Sequence, residues 1–449
     1  ACLSLHLCPL LSQGQIEALE HHATPKLQAT YLPKLISGEW TGSMNLTEPH
    51  AGSDVGALTT KAEPQDDGSY KITGQKIFIT WGEHDAAENI CHLVLARLPD
   101  GVAGPKGISL FVVPKFIPNT DGSLGARNDL RCVSLEHKLG IHGSPTAVME
   151  FSGATGWLVG EEHNGMACMF TMMNNARLGV GMQGVGVAEG AYQHAVDYAM
   201  VREQGRSPIK DGIGTIIDHA DVRRMLTTMK ADIFASRAIG VACAVSIDMA
   251  TASGDPDWKA RAALLTPIAK SFGSDTGCSV ADLGVQIHGG MGFIEETAAA
   301  QYLRDARITT IYEGTNGIQS MDLVARKMMD GGAAAFAVMD DMDKIAAVAG
   351  GDMGGAMESA IATLRTTTNW LVQQDMNDRF AGSVAYQRAF ARVLGGHFHL
   401  IASLSGDRKR ETLATFYINS LLPEHASLCV QAQTGAADLY ALEVDDFAA

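Results

Sequence analysis

The hydrophobic pattern of this chain changes once, near Gly160, and that change constrains the fold more than any other feature. From Trp40 to about Leu158 the sequence is rich in β-branched residues and turn signals, and no helical segment interrupts it. After Gly160 apolar residues recur with helical spacing. Because strands and helices are segregated along the chain, the sequence predicts an α+β multidomain protein with an antiparallel β-domain, and not a doubly wound parallel sheet.

This segregation predicts four parts along the chain. They are a remnant of an N-terminal helical domain over residues 1–37, a middle β-domain over residues 38–158, a four-helix-type bundle over residues 159–332 and an additional C-terminal helical domain over residues 335–449. Ala1–Leu11 lacks an initiator Met and has the composition of an internal apolar helix, so we expect that the N-terminal domain is truncated and that more helices lie upstream.

The positions of individual strands and helices follow from the same patterns. Within the β-domain, Tyr70–Thr73 and Lys76–Thr80 are predicted to pair across a turn at Gly74-Gln75. Apolar spacing and flanking glycines predict long helices in the rest of the chain. These helices are expected at Met166–Arg202, Ile217–Ala252, Trp258–His288, Gly317–Met329, Met357–Leu371, Ala385–Leu404 and Leu422–Leu442.

The charge and the cysteine content exclude several classes of function. The formal net charge of −16 argues against nucleic acid or an anionic membrane as the main partner, because both require a basic face. The eight cysteines include no Cys-x-x-Cys pair and no closely spaced Cys/His set, which predicts a reducing compartment, taken as the cytoplasm, and no metal site. No stretch is long and apolar enough to predict a membrane span.

A glycine motif at Gly179–Gly184 satisfies the G-x-G-x-x-G pattern of dinucleotide-binding proteins. It lies inside a predicted helix, with no βαβ unit around it. Close helix–helix packing is the better interpretation, and a nicotinamide site of the Rossmann type is not expected.

The segment Ile311–Ser320 holds one carboxylate, Glu313, between apolar residues and a glycine, just before a predicted helix. Partial desolvation there raises a carboxyl pKa and makes Glu313 a candidate base near neutral pH. The alternative is a structural acid at the positive end of the helix that Thr315 caps. The segment by itself favours the structural acid, because acids are common in the first turn of helices.

Three further loops are ambiguous when each is taken alone. Met44–Gly56 offers hydroxyls and backbone amides for a flat polar ring or a phosphate, but such runs are also ordinary loops. Phe78–Trp81 has the composition of a common strand. Gln286–Phe293 ends a helix in a glycine-rich turn, which serves either as a C-terminal cap or as a close approach of backbone to a pyrophosphate.

In their order and spacing, these motifs resemble those of the acyl-CoA dehydrogenase family of flavoproteins. The family pattern is met at Thr47–Asp54, Phe78–Thr80, Gln286–Phe293 and Tyr312–Thr315, over roughly residues 1–330. The resemblance is strongest to the subgroup that contains 3-methylmercaptopropionyl-CoA dehydrogenase, which shares the segments Glu136–Ser144 and Met173–Gln183 and a C-terminal helical domain.

The resemblance implies the fold and the cofactor. The fold would be N-terminal helices, a middle β-domain and a helical bundle, with FAD bound between domains and across a subunit interface. The resemblance assigns three groups of residues to FAD. The residues that would contact the flavin and its ribityl chain are Met44, Leu46, Thr47, Ser53, Ile79 and Thr80. Those that would contact the pyrophosphate or adenosine of a neighbouring protomer's FAD are Arg202, Gln286, Gly289 and Gly290. From the catalytic loop, Thr315 and Gln319 would contact FAD.

The resemblance also implies an activity. Glu313 would take the α-proton of an acyl-CoA while the β-hydrogen leaves as hydride to the flavin, which gives a trans-2-enoyl-CoA. The CoA thioester would contact Ser53, Asn174, Arg177 and Gly314. The electron acceptor would be an electron-transfer flavoprotein, and the protein would be a homodimer or homotetramer. The expected substrate is a short or sulfur-containing acyl thioester, such as 3-methylmercaptopropionyl-CoA.

Three departures from the family pattern keep alternatives open. Asn174 replaces the acid of the family's Asp-x-x-Arg motif, Gly205 stands after the Arg-x-Gln motif at Arg202–Gln204 where the family often has an aromatic residue, and the N-terminal helical domain is short. An incomplete pocket would give a flavin-binding but inactive protein. An acyl-CoA oxidase of the same family is the other alternative.

Overall fold

A computed structural model describes residues 2–448, except for the side chain of Asn174. Residues 2–176 form one compact unit, the N-terminal unit, and the chain from Arg177 onward forms a second, the C-terminal unit. The Asn174 side chain, which the family resemblance assigns to CoA, therefore lies outside the described part of the protein.

The N-terminal unit combines two helices, the start of a third and nine strands. The helices are α1 (Leu3–His22), α2 (Pro25–Ser37) and α3 (Gly165–Val201), which continues into the C-terminal unit. The strands are β1 (Trp40–Asn45), β2 (Lys61–Pro64), β3 (Tyr70–Thr80), β4 (Asn89–Arg97), β5 (Ile108–Pro114), β6 (Phe116–Pro118), β7 (Leu124–Arg127), β8 (Leu130–Leu135) and β9 (Thr146–Val159).

The main sheet closes on itself. Strand β4 pairs with β5, β5 with β9, β9 with β3, β3 with β2, and β2 returns to β4. Strands β1 and β8 attach to this ring through β4 and β9 respectively. A closed ring leaves few free edges, which protects the strands from pairing with other chains.

Strands β4 and β5 are largely apolar because both of their faces are buried. On β5, Leu110 and Val112 belong to a core shared with α1, α2 and β1, while Phe111 and Val113 point to a second core within the sheet. Since successive side chains of a strand point to opposite faces, a strand between two cores loses the usual alternation of apolar and polar residues.

One prediction about the sheet is wrong. Tyr70–Thr73 and Lys76–Thr80 are not a hairpin but one strand, β3, which pairs with β9 along both segments. Gly74 is needed there because a Cβ would lie 2.4 Å from Thr60 Oγ1, so the glycine permits close contact and makes no turn. The predicted antiparallel character of the sheet is confirmed for most of its pairings, while β1 and β2 each pair parallel to β4. Side chains alternate in the same way in both pairing directions, so the pattern could not distinguish them.

The C-terminal unit is helical within its described residues. Its helices after α3 are α4 (Ala220–Ser253), α5 (Pro256–His288), α6 (Ala299–Ala306), α7 (Asn316–Val324), α8 (Ala333–Ala349), α9 (Gly351–Leu371), α10 (Met376–Ser403), α11 (Arg408–Phe416) and α12 (Glu424–Ala432). The predicted helices correspond to α3, α4, α5, α7, α9, α10 and α12, but α9 begins at Gly351 and α10 at Met376, both earlier than predicted, and α7 already ends at Val324. The last predicted helix ends at Ala432 and not at Leu442, with only short 3-10 turns beyond. Helices α6 and α11 are not among the predicted ones.

One hydrophobic core joins the bundle helices to the helices of the chain's last third. It contains buried side chains from α4, α5 and α7 together with those of α8 to α12. Examples are Ile239, Leu264, Leu323, Met339, Leu364, Phe390 and Leu428. Residues 335–449 therefore extend the bundle core, and the domain boundary near residue 335 remains a prediction from the sequence.

Helix α4 is the single helix among the described residues that is long and apolar enough to cross a membrane by length and composition. The expectation that no stretch would qualify is wrong by that test. One face of α4, with Ala231, Ala235, Ile239 and Cys243, lies in the core of the C-terminal unit. Packing of that face against other helices accounts for part of the apolar composition, while Val241, Val245 and Met249 of the same helix are exposed.

The glycine motif at Gly179–Gly184 lies in the middle of α3, as predicted, and serves helix packing. A Cβ on Gly181 would lie 2.6 Å from Ala269 O, and one on Gly184 would lie 2.2 Å from Gly273 O. Small residues let the backbones of α3 and α5 approach this closely, and a dinucleotide is not needed to explain the motif.

We expect Gly184→Ala to destabilise the C-terminal unit and Gly186→Ala on the same helix to leave it at least as stable. A Cβ at Gly186 would meet nothing within 4 Å. Overpacking costs about 1–3 kcal/mol, whereas replacing an open helical glycine by alanine gains roughly 0.5–1 kcal/mol. Urea unfolding followed by far-UV circular dichroism compares the two variants. Equal midpoints would contradict the proposed contact between α3 and α5.

Candidate active site

The turn that carries Glu313 adopts an unusual backbone conformation. Glu313 has φ = 56° and Gly314 has φ = 83°, so two successive residues are left-handed. A left-handed residue other than glycine is uncommon and costs of order 1–3 kcal/mol. Helix α7 begins directly afterwards, with Thr315 as its N-cap accepting from Ile318 N at 3.2 Å. The predicted cap is confirmed, and the strained residue is the candidate base.

The Glu313 carboxyl group is desolvated, as the sequence predicted. Its Oε2 is buried and has no hydrogen-bond partner within the described residues. Burial raises the pKa of Glu313 to about 7, against the positive charges of Arg177 and Lys270, which lower it. A carboxyl group that is half-ionised near neutral pH can accept a proton from a weak carbon acid.

Three side chains hold the backbone around Glu313. Tyr312 Oη donates to Gln183 on α3. Gln319 Nε2 donates to Glu313 O at 3.2 Å, and Lys270 Nζ on α5 donates to Gly314 O at 2.9 Å. Contacts on both sides of the turn restrain its two left-handed residues.

Arg177 supplies one of the two positive charges near Glu313. It is buried on α3, and its Nη1 lies 3.9 Å from Asp322 Oδ2 on α7. Asp322 also forms salt bridges with two residues that follow it. Its Oδ1 lies 2.7 Å from Arg326 Nε, and its Oδ2 lies 3.8 Å from Lys327 Nζ. Burial lowers the pKa of Arg177, while Asp322 and Glu313 favour its charged form.

The glycine-rich turn after α5 leaves space at its surface. Gly289 has φ = 61° and donates to Gln286 O, so the C-cap interpretation is confirmed. Gln286, Gly289 and Gly290 are all exposed, and a Cβ at either glycine would meet nothing within 4 Å. A ligand can therefore approach this backbone closely. Arg202, just after α3, is exposed as well.

The other residues predicted to bind FAD lie in the N-terminal unit. Leu46 and Ile79 are buried, Met44, Thr47 and Thr80 are half-buried, and Ser53 is exposed. Ile77 N donates to Thr47 O at 2.9 Å, which places the loop after β1 beside β3.

The strand segment at Ile79 and Thr80 is strained on both sides. Phe78 has φ = 60° and Trp81 has φ = 51°, both left-handed. Such strain persists only where surrounding structure enforces it, and it concentrates at binding sites.

A buried ion pair that the sequence did not predict fixes the loop after β1. Glu48, in the Thr-Glu-Pro motif, accepts from Lys76 Nζ at 2.9 Å, and both side chains are buried. The same carboxylate accepts from the backbone and hydroxyl of Thr59 and of Thr60 at 2.6–3.0 Å. Lys76 also donates to Leu46 O at 3.0 Å. No local signal distinguishes Lys76, because β3 also carries polar residues such as Lys71 and Gln75.

Opposing effects set the pKa values of this pair. Burial alone would raise the pKa of Glu48, but Lys76 and the Thr60 hydroxyl lower it to about 2. Burial lowers the pKa of Lys76 to about 8, although Glu48 opposes this. Both groups are charged at neutral pH.

We expect Glu48→Gln to destabilise the N-terminal unit by about 3–5 kcal/mol, because it leaves the Lys76 ammonium buried without its counter-charge. In the wild type, the folded pKa of Glu48 lies below its ordinary value of 4.5. Its contribution is therefore complete above about pH 4.5 and lost as the pH falls toward 2. Tryptophan fluorescence during urea unfolding measures both effects, and Glu63→Gln, at an exposed position of β2, is the control. Similar losses in the two variants would argue against the pair.

Comparison with known proteins gives a consistent result. Residues 43–154 match the family model "Acyl-CoA dehydrogenase, middle domain", residues 163–329 match "Acyl-CoA dehydrogenase, C-terminal domain", and residues 337–443 match "Acetyl-CoA dehydrogenase C-terminal like". The three matches follow the order of the elements described above.

Curated relatives and solved structures agree with these matches. The chain is 49% identical to 3-methylmercaptopropionyl-CoA dehydrogenase of Ruegeria pomeroyi, over 86% of this chain and 68% of that protein. It is 43% identical to a butyryl-CoA dehydrogenase of Syntrophomonas wolfei, over 71% of this chain and 54% of that protein. It therefore spans only about half of that second relative. The structure of an acyl-CoA dehydrogenase complexed with FAD from Bacillus anthracis has the same fold, with a TM-score of 0.75, 22% identity and coverage of 95% and 73% of the two chains.

Proposed function

Because the chain belongs to the acyl-CoA dehydrogenase family, we propose that it oxidises an acyl-CoA thioester to the trans-2-enoyl-CoA with FAD as cofactor. The observation that carries this proposal is Glu313, whose buried Oε2 has no partner among the described residues and whose pKa is raised to about 7. A hydrogen α to a thioester carbonyl is weakly acidic, so its removal needs a desolvated base held close to it.

The residues proposed to hold FAD fit a large and partly polar ligand. Gln319 Oε1 is buried with no partner among the described residues, which suits a hydroxyl donor. The open backbone at Gly289 and Gly290 suits a diphosphate. Bound FAD supplies the acceptor for the hydride that leaves the β-carbon. The full proposed set is Met44, Leu46, Thr47, Ser53, Ile79, Thr80, Arg202, Gln286, Gly289, Gly290, Thr315 and Gln319.

The chain's own part in the reaction is to take the α-proton and to meet the charge on the thioester oxygen. The Glu313 carboxylate accepts the proton as the α C–H bond breaks, and that electron pair forms the double bond as the β-hydride leaves. The Glu313 backbone N–H has no acceptor within the described residues, so it is available to the thioester oxygen. A donor aimed at developing charge in a water-poor site lowers the barrier.

The proposed thioester contacts are Ser53, Asn174, Arg177 and Gly314. Gly314 adjoins the base, and its carbonyl is fixed by Lys270 at 2.9 Å. Arg177 is buried and ion-paired with Asp322 at 3.9 Å, so we assign it to the reacting end of the ligand. Ser53 is exposed and suits the solvent-facing part of CoA.

The proposed acyl group is short or contains sulfur, as in 3-methylmercaptopropionyl-CoA. The identity of 49% with the Ruegeria protein that bears this name supports the choice. The proposed electron acceptor is an electron-transfer flavoprotein, and the proposed compartment is the cytoplasm.

The proposed assembly is a homodimer or homotetramer. The apolar side chains of Met291, Phe293 and Ile294 are exposed beside the glycine turn, with Phe293 88% exposed. An exposed apolar cluster of this kind suits a contact with a second protomer.

We expect Glu313→Gln to bind FAD normally and to lose at least about 10³-fold in the rate of flavin reduction, since no other ionised carboxylate replaces the base. In the wild type, kcat/KM should rise tenfold per pH unit below the Glu313 pKa of about 7 and level off above it, because only the ionised form accepts a proton. Anaerobic stopped-flow bleaching of the flavin measures both. Bleaching that survives the substitution would move the base elsewhere.

We expect 3-methylmercaptopropionyl-CoA and butyryl-CoA to bleach the flavin, with a higher kcat/KM for the sulfur-containing thioester. Long-chain acyl-CoA is the comparison substrate, and turnover is followed with an artificial electron acceptor. The two alternatives give different results in the same assay. An inactive flavin-binding protein shows no bleaching with any thioester, and an oxidase produces peroxide under air.

A further inference from the structure

Lys270 is a buried cation that the proposed reaction does not use directly. Its side chain is fully buried on α5. Its Nζ donates to Gly314 O at 2.9 Å and to Asn316 Oδ1 at 2.8 Å. Both acceptors belong to the turn that carries Glu313, one residue and three residues beyond it. An isolated buried ammonium is costly, so its position calls for an explanation.

The acceptor Asn316 is fixed in turn by the same face of α5. Its Nδ2 donates to Asp275 Oδ1 at 2.7 Å and to Ser274 Oγ at 3.0 Å. Asn316 is also the first residue of α7, after the cap Thr315. The network therefore ties α5 to the start of α7 and leaves little freedom to the turn between Glu313 and Asn316.

We propose that Lys270 is a positioning residue for the base: it fixes the left-handed turn through Gly314 O and supplies the positive charge that keeps Glu313 ionised while buried. This inference rests on the proposed function of Glu313. Lys270 takes no proton from the substrate and touches no reacting atom. It acts through the backbone of the turn and through its charge.

The charges around Lys270 are consistent with this role. Asp275 and the Cys278 thiol face it from α5, Glu313 from the turn and Arg177 from α3. Asp275 in turn lies near Arg388 of α10 and near Arg307. Burial lowers the pKa of Lys270 to about 8, against the effect of Asp275 and Glu313. The lysine is thus charged over the pH range in which Glu313 becomes ionised.

The direction of the expected change follows from electrostatics. Loss of the Lys270 charge removes one of the two cations that lower the pKa of Glu313, so that pKa rises further. An opposite charge nearby shifts a carboxyl pKa by roughly one to three pH units. We therefore expect Lys270→Met to raise the titration midpoint of Glu313 by more than about one unit, and to reduce the rate at pH 7 by more than about fivefold.

The experiment measures the midpoint without turnover. The whole 449-residue chain with FAD bound is labelled with ¹³C at the glutamate carboxyl carbons, and the Glu313 signal is assigned by its absence in Glu313→Gln. Lys270→Met is compared with Lys344→Met, an exposed lysine on α8 whose partner is Asp341 at 2.9 Å. We expect the midpoint to move in the first variant and to stay within 0.3 units, roughly the precision of such a titration, in the second.

Further variants separate charge from packing. Lys270→Gln keeps a donor for Gly314 O but not the charge, so its midpoint should move as in Lys270→Met. Lys270→Arg keeps the charge and should hold the midpoint near that of the wild type. Flavin content and the unfolding midpoint identify any variant that fails to fold.

The proposal is overturned if Glu313 titrates as in the wild type in a folded Lys270→Met or Lys270→Gln protein, or if Lys270→Arg moves the midpoint as far as Lys270→Gln does. The acid limb of kcat/KM for flavin reduction must shift by the same amount as the carboxyl midpoint. A wild type that no acyl-CoA reduces would refute the proposed function, whereas the ¹³C titration would still report on Lys270.

Discussion

The C-terminal unit is organised around the cost of burying one carboxylate. An ionised group taken out of water costs several kcal/mol unless charges or donors compensate it. Glu313 receives compensation from two buried cations, Arg177 on α3 and Lys270 on α5, and each cation needs its own partners. Asp322 on α7 forms an ion pair with Arg177. Gly314 O and Asn316 Oδ1 accept hydrogen bonds from Lys270. The three helices therefore meet through polar contacts at the place where the base lies.

The two glutamates of this chain with the largest environmental effects show opposite outcomes of the same physics. Glu48 is buried, but Lys76 and the four N–H and O–H donors of Thr59 and Thr60 satisfy it, which lowers its pKa to about 2. Glu313 has cations nearby but no hydrogen bond to its Oε2 among the described residues, and its pKa rises to about 7. Because hydrogen bonds satisfy its carboxylate, Glu48 is a fixed structural anion. The Glu313 carboxylate lacks such hydrogen bonds at Oε2 and can therefore exchange a proton.

The helices were predictable because their signal is local. Apolar periodicity over α3 to α5, together with flanking glycines such as Gly254, marked their bounds to within a few residues. The glycine motif within α3 was interpreted correctly because a helix surrounded it. The turn at Gly74 was interpreted wrongly, since glycine also serves close contacts, and here the contact is with Thr60 across the sheet. Neither Lys76 nor Lys270 carries a local mark that distinguishes it from a surface lysine.

By itself, the sequence determined the segregation of strands from helices, because that pattern depends on neighbouring residues along the chain. The candidate base and the loops expected at the cofactor followed from the order and spacing of the motifs, since each motif is ambiguous when taken alone. Only the tertiary structure decided what Glu313 can do. Its pKa depends on burial and on the charges of Arg177 and Lys270, residues distant in sequence that packing brings near it. Electrostatic energy depends on distance in space and on exposure to water, and the order of residues along the chain specifies neither directly.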